Sequence, residues 1–336
     1  MSKKARIIVG SMVAVILIAA IVALSITWPV IEMFFNAKKY DLSPVTLSAR
    51  GDRIYFLNTG SADAILIESD GKYALVDGAE DSDNPRNFPG LVYDGTEEYV
   101  ADTIKKIAGD ENGKVTLEFI LGTHAHSDHL GGLDTVVLDP DITVGRVYVK
   151  AYEPGNIAAN EVENWDNQEV YNQLVSACSQ RGVQIVNDIP TEPFAFGNLT
   201  LAFCNTEDTA SPEPIGENEN AIGLLVERGE VRAFLAADIN NYDGDEDRLS
   251  QSIGTVDLLK IGHHGYEGST GEPFVRALDP DIAIVTNTIH GVHKAVLRAL
   301  NSVDACIYAT RENEGVVAEF TDQGFTLYSD IDHAVK

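Results

Sequence analysis

The stretch THAHSDH, residues 123–129, places three histidines and an aspartate directly behind an apolar run that predicts a buried strand. A loop at a strand end holds ligand side chains while the sheet fixes their positions. His124 and His126, separated by one residue, can converge on one point in a bent loop. Asp128 and His129 can turn toward a second point nearby. The pattern predicts a site for two metal ions and disfavours the alternative, a histidine-rich surface loop.

Two further apolar runs end on residues that bind metals. Neutral imidazole with carboxylate favours Zn²⁺, with Mn²⁺ and Fe²⁺ as alternatives by ligand type. A catalytic two-metal site also needs a bridge and ligands on its far side. VRAFLAAD ends on Asp238, where a carboxylate is costly unless it is paired or bound to metal. DLLKIG ends just before His263 and His264, so these three residues are the candidates for the far side.

Short β-like runs alternate with helical ones, without a low-complexity segment or an evident repeat. Runs at 53–58, 64–69 and 73–78 lie close together with turn residues between them, which predicts an antiparallel start. Helical periodicity covers 97–108 and 163–180. Further strands are predicted at 115–123, 182–187, 199–205, 222–227, 231–238, 255–262, 282–287 and 305–310. This order predicts an α/β fold of two mixed sheets covered by outer helices.

The N-terminus differs from the rest of the chain. A basic start, 1–6, precedes an uncharged apolar run, 7–31, which is long enough to span a bilayer. A cleaved signal peptide usually has a shorter apolar core and a small-residue cleavage site, so we favour an uncleaved anchor over it and over a buried core helix. The basic residues predict a cytoplasmic N-terminus, a stalk at 32–48 and an extracellular domain at 49–336 on a single-pass protein of the cell membrane.

Charge narrows the partners. The chain has 24 Lys and Arg against 52 Asp and Glu, a net charge of −28. Long-range attraction to nucleic acid is therefore disfavoured.

The three cysteines, Cys178, Cys204 and Cys306, lie far apart without metal-type spacing, so the sequence predicts no disulfide framework. A single disulfide between two of them stays possible if the domain is outside the cell. Nothing in the sequence sets an oligomeric state.

Over about residues 52–330 the chain resembles the metallo-β-lactamase fold hydrolases, whose signature is similar to THAHSDH followed by strand-end ligands. The resemblance implies an αββα sandwich with two divalent metal ions. It also implies a role for each matching position: His124 and His126 on metal one, Asp128 and His129 on metal two, Asp238 as the bridge, His263 on metal two with His264 as its rival, and Asp77, which closes YALVDG, as the residue that orients the ligand loop.

One departure from the family pattern concerns metal one. No histidine occurs between His129 and His263, where many members place a third imidazole. Metal one is then under-liganded, with water, a substrate oxygen, Asn218 or Asn220 to fill the position. We therefore expect metal one to bind more weakly than metal two.

Two branches of this fold are most similar to the chain. GSADAILIESDGKYALVDG, DLLKIGHHG and HGVHKAVLRAL resemble the extracellular hydrolase domain of competence DNA-uptake channel proteins. A longer match, including LEFILGTHAHSDHLGG and ENWDNQEVYNQLVSACSQRGVQIV, resembles the teichoic-acid phosphorylcholine esterase. The aromatic choline-binding repeats of that esterase are missing from this chain, and a membrane anchor would take over their tethering role.

The metal pair itself favours phosphoric ester hydrolysis, because two metals stabilise both the attacking and the leaving oxygen. Asp128 and Asp238 are then catalytic residues. Trp165 is a candidate face for a quaternary ammonium, against the alternative of ordinary helix packing. Asn220 is a second candidate substrate contact, and His293 is a candidate general acid or phosphate contact, against a plain surface histidine.

The sequence thus predicts a membrane-anchored extracellular hydrolase of phosphorylcholine-type cell-envelope groups or small phosphoesters. Three alternatives remain: a competence-type nuclease of the same fold, which the acidity disfavours, a hydrolase of lactones or other non-phosphate esters, and a non-catalytic binding module. Retention of both His124 and His126 argues against the last.

Overall fold

The computed structural model describes residues 12–25, 27, 42–45, 51–82, 94–207 and 216–331. The chain divides into two compact units, Met1–Asp41 and Leu42–Lys336. Helix α1 in the first unit covers residues 12–25, and its apolar side chains are exposed.

The predicted membrane span, 7–31, lies only partly within the described residues. No helix of the described part of the chain is long and apolar enough to cross a membrane. The basic start, 1–6, lies outside the described residues, as does most of the predicted stalk, 32–48. Ser43–Pro44, which the sequence assigns to that stalk, forms strand β1 and pairs with the last strand of the domain.

The second unit contains two mixed sheets, which confirms the predicted α/β fold. Sheet one has the order β1-β17-β16-β2-β3-β4-β5-β7-β8, and β6 also pairs with β5. Its strands after β1 are β2 (Arg53–Phe56), β3 (Ile65–Ser69), β4 (Lys72–Val76), β5 (Val115–Leu121), β6 (Ile142–Val144), β7 (Arg146–Tyr148), β8 (Gln184–Val186), β16 (Val316–Thr321) and β17 (Gly324–Ser329). Neighbours β2, β3 and β4 are antiparallel, whereas β4 and β5 are parallel.

Sheet two has the order β15-β14-β13-β12-β11-β10-β9. Its strands are β9 (Phe194–Phe196), β10 (Leu199–Cys204), β11 (Gly223–Arg228), β12 (Val231–Leu235), β13 (Leu258–Lys260), β14 (Ile282–Val285) and β15 (Cys306–Ala309). Strands β9 to β12 pair antiparallel, and β12 to β15 pair parallel.

Alternation along each strand builds two apolar layers. In β3, Ile65 and Ile67 belong to a core cluster that contains side chains of both sheets, such as Leu224. Leu66, between them, belongs to the other cluster, with helix residues such as Val100. Because successive side chains point to opposite faces of a strand, an uninterrupted apolar run fits a strand that is covered on both faces.

The described helices of the second unit are α2 (Glu97–Ala108), α3 (Ser127–Leu130), α4 (Leu133–Leu138), α5 (Ala159–Asn164), α6 (Asn167–Arg181), α7 (Asp245–Ile253), α8 (Glu272–Leu278) and α9 (Lys294–Asn301). The prediction of a helix at 97–108 is confirmed by α2. Its first turn is acidic and its last turn is basic, which suits the helix dipole.

The predicted single helix at 163–180 is wrong, because the structure divides it into α5 and α6. Trp165, between the two helices, has an extended backbone with φ −121° and ψ 153°. Asn164 and Asp166 flank it, and both residue types favour helix ends because their side chains compete for backbone hydrogen bonds. The break places Trp165 in a loop rather than on a helix face.

The fold brings the predicted ligands to the carboxyl ends of two parallel strand pairs. Asp77 follows β4 and the segment 122–130 follows β5. Asp238 follows β12, and His264 follows β13. The predicted strand 231–238 ends earlier, at Leu235, so Asp238 lies in a turn rather than in the sheet.

Candidate metal centre

Glycines allow the ligand loop to pack tightly against the end of strand β4. A Cβ at Gly132 would lie 2.1 Å from the carbonyl oxygen of Gly78, and a Cβ at Gly78 would lie 2.6 Å from the backbone nitrogen of Leu133. Any larger residue at either position would push the two segments apart. His126 precedes α3 with extended backbone, and Asp128 and His129 lie within that short helix.

One group of potential ligands consists of His124, His126 and Asp238, all buried. The Nε2 of His124 lies 3.1 Å from the Nδ1 of His126. Burial lowers the pKa of His124, and the neighbouring His129 and His126 lower it further. His124 is therefore neutral, which is the form of imidazole that binds metals.

The second group consists of Asp128, His129 and His264, all buried. The Nε2 atoms of His129 and His264 lie 3.2 Å apart. The Oδ2 of Asp128 lies 3.6 Å from the Nε2 of His264. Three ligand atoms of the types that bind zinc therefore face one point.

Asp238 lies between the two groups and is 1% exposed. Its Oδ1 lies 3.2 Å from the Nε2 of His129 and 3.4 Å from the Nε2 of His264. Its Oδ2 lies 3.9 Å from the Nε2 of His124, in the first group. Burial raises the pKa of Asp238, but His129, His264 and His263, when they are protonated in the metal-free chain, outweigh burial and hold that pKa well below its usual value. One carboxylate thus turns one oxygen toward each group, as a bridging ligand must.

The resemblance implied His263 as a ligand of metal two, with His264 as its rival, and in the structure the second group of potential ligands contains His264 rather than His263. The two residues have φ of 48° and 49°, in the left-handed region, so the backbone turns sharply between them. His264 is buried, whereas the side chain of His263 is 27% exposed. The Nε2 of His263 lies 3.8 Å from the Oδ2 of Asp238 and 3.3 Å from the Nδ2 of Asn218. Such backbone is uncommon outside glycine and is characteristic of functional sites.

Asp77 orients the ligand loop, in the place that the resemblance implied. It accepts hydrogen bonds from the backbone N and the Oγ1 of Thr123, both at 2.8 Å. The Nδ1 of His129 lies 2.8 Å from the Oδ2 of Asp77. Because a carboxylate accepts, Nδ1 carries the proton, and the lone pair on Nε2 faces the second group.

Glu161 is a site residue that the sequence analysis missed. Its Oε1 lies 3.0 Å from the Nε2 of His126, so this ring donates through Nε2 and turns Nδ1 toward His124. Asn167 and the backbone nitrogen of Glu217 donate to the same oxygen at 2.9 Å and 3.1 Å. Glu161 lies in α5, among other acidic residues, and no sequence pattern distinguishes it from them.

Asp63 and Lys260 were also missed. Both are buried, and they form an ion pair behind the second group. A sequence signal did exist, since each is a charged residue beside or inside an apolar run, Asp63 in SADAILI and Lys260 in DLLKIG. A charge in such a position is costly unless it is paired.

A cavity of about 190 Å³ opens onto the two groups. Among the described residues its lining consists of Ser61, His126, Asp128, Trp165, Asp238, His263 and Tyr266. The ring of Trp165 stacks on His126, with ring centroids 5.1 Å apart and planes at 27°. The hydroxyl of Tyr266 lies 2.9 Å from the Oγ of Ser61. The open side of the site is thus flanked by two aromatic side chains.

Two of the predicted substrate contacts, His293 and Asn220, are not among the described residues that line the cavity. His293 does not belong to the described lining of the cavity, its side chain is 41% exposed, and its Nε2 lies 3.9 Å from the Oε1 of Glu267. Asn220 donates to the Oε2 of Glu217 at 3.1 Å and is not among the described lining residues either. Trp165 is the one predicted substrate residue that the described cavity contains.

The residues present fit two divalent ions. The Nε2 atoms of His129 and His264 lie 3.2 Å apart, and when both rings are protonated on Nδ1 their lone pairs face the same space. The buried Oδ1 of Asp238 has no hydrogen-bond donor within the described part of the chain. A cation between these atoms satisfies all of them, and the mixture of imidazole and carboxylate suits Zn²⁺ or a similar ion.

The chain is similar to known proteins along most of the domain. A family model described as "Beta-lactamase superfamily domain" matches residues 103–301. ComE operon protein 3 of Bacillus subtilis (strain 168) is 24% identical over 223 residues, which are 64% of this chain and 26% of that protein. Recombination protein 2 of Haemophilus influenzae is 30% identical over 71 residues, 21% of this chain and 9% of that protein. The chain therefore spans about a quarter or less of these two relatives.

Among solved structures, the metallo-β-lactamase fold protein YhfI from Bacillus subtilis matches with a TM-score of 0.50. The match covers 80% of this chain and 99% of that chain, at 13% sequence identity. At this identity the likeness concerns the fold alone.

Proposed function

Starting from the fact that the chain belongs to the beta-lactamase superfamily, we propose that it is a two-metal phosphoric ester hydrolase acting on phosphorylcholine-type cell-envelope groups. The family and the buried histidine and aspartate clusters make it a metal-dependent hydrolase. The substrate is the part that we propose. The observation that carries it is the position of Trp165, stacked on a ligand histidine at the wall of the cavity.

The side chains around the cavity would have different roles in such a reaction. When bound, a metal pair supplies Lewis acidity and an activated water near neutral pH. Asp77 and Glu161 fix the ring orientations of His129 and His126 before any substrate arrives. Asp238 couples the two groups through its two oxygens. These contacts hold the ligands in one geometry, which lowers the cost of organising the site during the reaction.

The aromatic and acidic lining suits a cationic head group. Quaternary ammonium groups bind to the faces of tryptophan and tyrosine through cation–π attraction. Trp165 and Tyr266 supply two such rings, and Asp128 supplies negative charge in the same cavity. The net charge of −28 also favours a zwitterionic group over a polyanion.

We expect Trp165→Ala to raise the KM for p-nitrophenyl-phosphorylcholine by about 2- to 30-fold, since a cation–π contact contributes about 0.5–2 kcal/mol. Turnover of bis-p-nitrophenyl phosphate, which has no cationic group, should change by less than about threefold. The measurement is steady-state kinetics of the full-length chain with both substrates, and Trp165→Phe is the matched control that keeps an aromatic face.

An equal loss with both substrates would contradict the choline subsite. A wild-type preference for the bis ester would instead favour a general phosphodiesterase or a nuclease. No turnover of either substrate with metals bound would favour a lactone or other ester hydrolase, or a binding module.

We also propose that residues 7–31 anchor the chain in the cell membrane as a single span, with the hydrolase domain outside the cell. The support is the uncharged apolar run and the basic residues before it. Protease added to intact cells should then degrade the domain while a cytoplasmic marker protein stays intact. Protection of the domain until the cells are lysed would contradict this placement.

A further inference from the structure

Lys260, the last residue of β13, is completely buried. Its Nζ donates to the carbonyl oxygen of Ala237 at 2.8 Å and forms an ion pair with the Oδ2 of Asp63, which is 1% exposed. A buried ammonium without a partner costs several kcal/mol, so the position of Lys260 depends on Asp63, and that of Asp63 on Lys260.

Asp63 connects this ion pair to the second ligand group. Its Oδ1 lies 3.4 Å from the Nδ1 of His264, and the Oγ1 of Thr286 lies 3.1 Å from the same nitrogen. When Nδ1 donates to the Oγ1 of Thr286, its proton lies beside the carboxylate of Asp63, and the lone pair of Nε2 points toward His129 and Asp238. The negative charge of Asp63 beside Nδ1 therefore favours the tautomer, protonated on Nδ1, that a metal at the second group requires, and Thr286 holds the ring in that orientation.

Lys260 also faces the bridging carboxylate. Its Nζ lies 3.9 Å from the Oδ1 of Asp238. The ligand atoms of Asp63, Asp238 and His264 lie close enough together to hold a cation. The ammonium of Lys260, paired with Asp63, supplies a fixed positive charge beside this group, which offsets the repulsion between two buried carboxylates.

We propose that Lys260 and Asp63 form a positioning pair that assembles the second metal site: Lys260 fixes Asp63, Asp63 orients His264, and the ammonium offsets the charge of Asp238. This inference rests on the two-metal part of the proposed function and is independent of the substrate. Neither residue is placed on the cavity lining among the described residues, so both act through the ligands rather than on the substrate.

The test compares Lys260→Met, Asp63→Asn and the double variant, each in the full-length chain. Zn²⁺ affinity is measured by competition with a chromogenic chelator, and His264→Ala shows which binding step belongs to the second site. Unfolding of the metal-free chain in urea is recorded in parallel. The exposed ion pair of Lys114 with Asp141 gives the matched control, Lys114→Met with Asp141→Asn.

Lys260→Met should weaken the second site by about 10- to 100-fold, the usual effect of losing a residue that orients a metal ligand. The first site should change by less than about threefold. Asp63→Asn keeps an oxygen for the lysine, and should weaken the same site by about tenfold or more while the chain stays folded. The surface control should alter neither affinity.

The double variant separates positioning from ordinary charge pairing. Removing both charges should restore the urea midpoint toward that of the wild type, because no buried charge is then left without a partner. The affinity of the second site should stay low, because His264 and Asp238 still lack their neighbours. Recovery of affinity together with the urea midpoint would overturn the proposal, as would unchanged affinity in a folded Lys260→Met or Asp63→Asn. A wild type that binds two metals but hydrolyses neither ester would reject the proposed substrate and leave this inference intact.

Discussion

Asp238→Ala is expected to reduce metal-dependent hydrolysis by about 1,000-fold or more, the largest effect of any single substitution in this site. The two oxygens of Asp238 face different ligand groups, so this change removes one ligand from each metal position at once. Metal stabilisation of a transition state contributes several kcal/mol, and each 1.4 kcal/mol corresponds to a tenfold change in rate.

The measurement is kcat/KM together with the metal content of the purified full-length chain. Asp243→Ala, in the exposed loop that follows, is the matched control and should keep both activity and metals. Asp238→Asn tests the same point with an unchanged side-chain shape, because an amide is a poor bridging ligand. An Asp238→Ala chain that keeps both metals and more than about a tenth of its activity would contradict the bridging role.

The second large effect concerns two adjacent histidines. His264→Ala should remove one of the two bound metal ions and lower kcat/KM by about 100-fold or more, since His264 is a buried member of the second group. His263→Ala should keep both metal ions. Because His263 lines the cavity, its loss should lower turnover by about tenfold through substrate contacts alone.

Metal analysis of the two variants side by side distinguishes the assignments, since the residues are neighbours and the substitutions are identical. The exposed His290 supplies a third alanine variant that should behave like the wild type. If His263→Ala lost a metal ion and His264→Ala kept both, the original assignment from the sequence would be correct and the one from the structure wrong.

The difference between these two histidines shows where sequence reasoning stops. The apolar run of β13 predicts that a histidine side chain lies at the end of this strand. Which ring turns toward the second group depends on two successive left-handed residues, and HHG does not specify that backbone. The same limit applies to Trp165. The sequence predicts one continuous helix through this residue, whereas the structure interrupts the helix there and places the indole ring against His126.

Ligands that follow one another in the sequence were predictable because a strand end delivers them together. His124, His126, Asp128 and His129 all come from one segment after β5, and the structure places them in the two buried groups. The residues that orient these ligands come from distant segments. Glu161 approaches from α5, and such a pairing exists only once the chain has folded.

The strands show the same difference between features that a local sequence pattern predicts and features that depend on the fold. Most of the longer strands of both sheets were predictable, because alternation or continuous apolarity over several residues is a clear signal. Strands β16 and β17, with six residues each, were missed by the sequence analysis. Strands β6, β7 and β9 have three residues each, too few to show a period. Strand β1 has only two residues and is recognisable only through its pairing with β17.

The measurement that tests the central claim most directly is a metal titration of the stripped full-length chain, followed by hydrolysis of p-nitrophenyl-phosphorylcholine and bis-p-nitrophenyl phosphate at each step. We expect no turnover without metal, Zn²⁺ binding that saturates at two ions per chain, and activity that reaches its maximum only when the second ion is bound. Full activity with one ion, or hydrolysis by the stripped chain, would contradict the two-metal account.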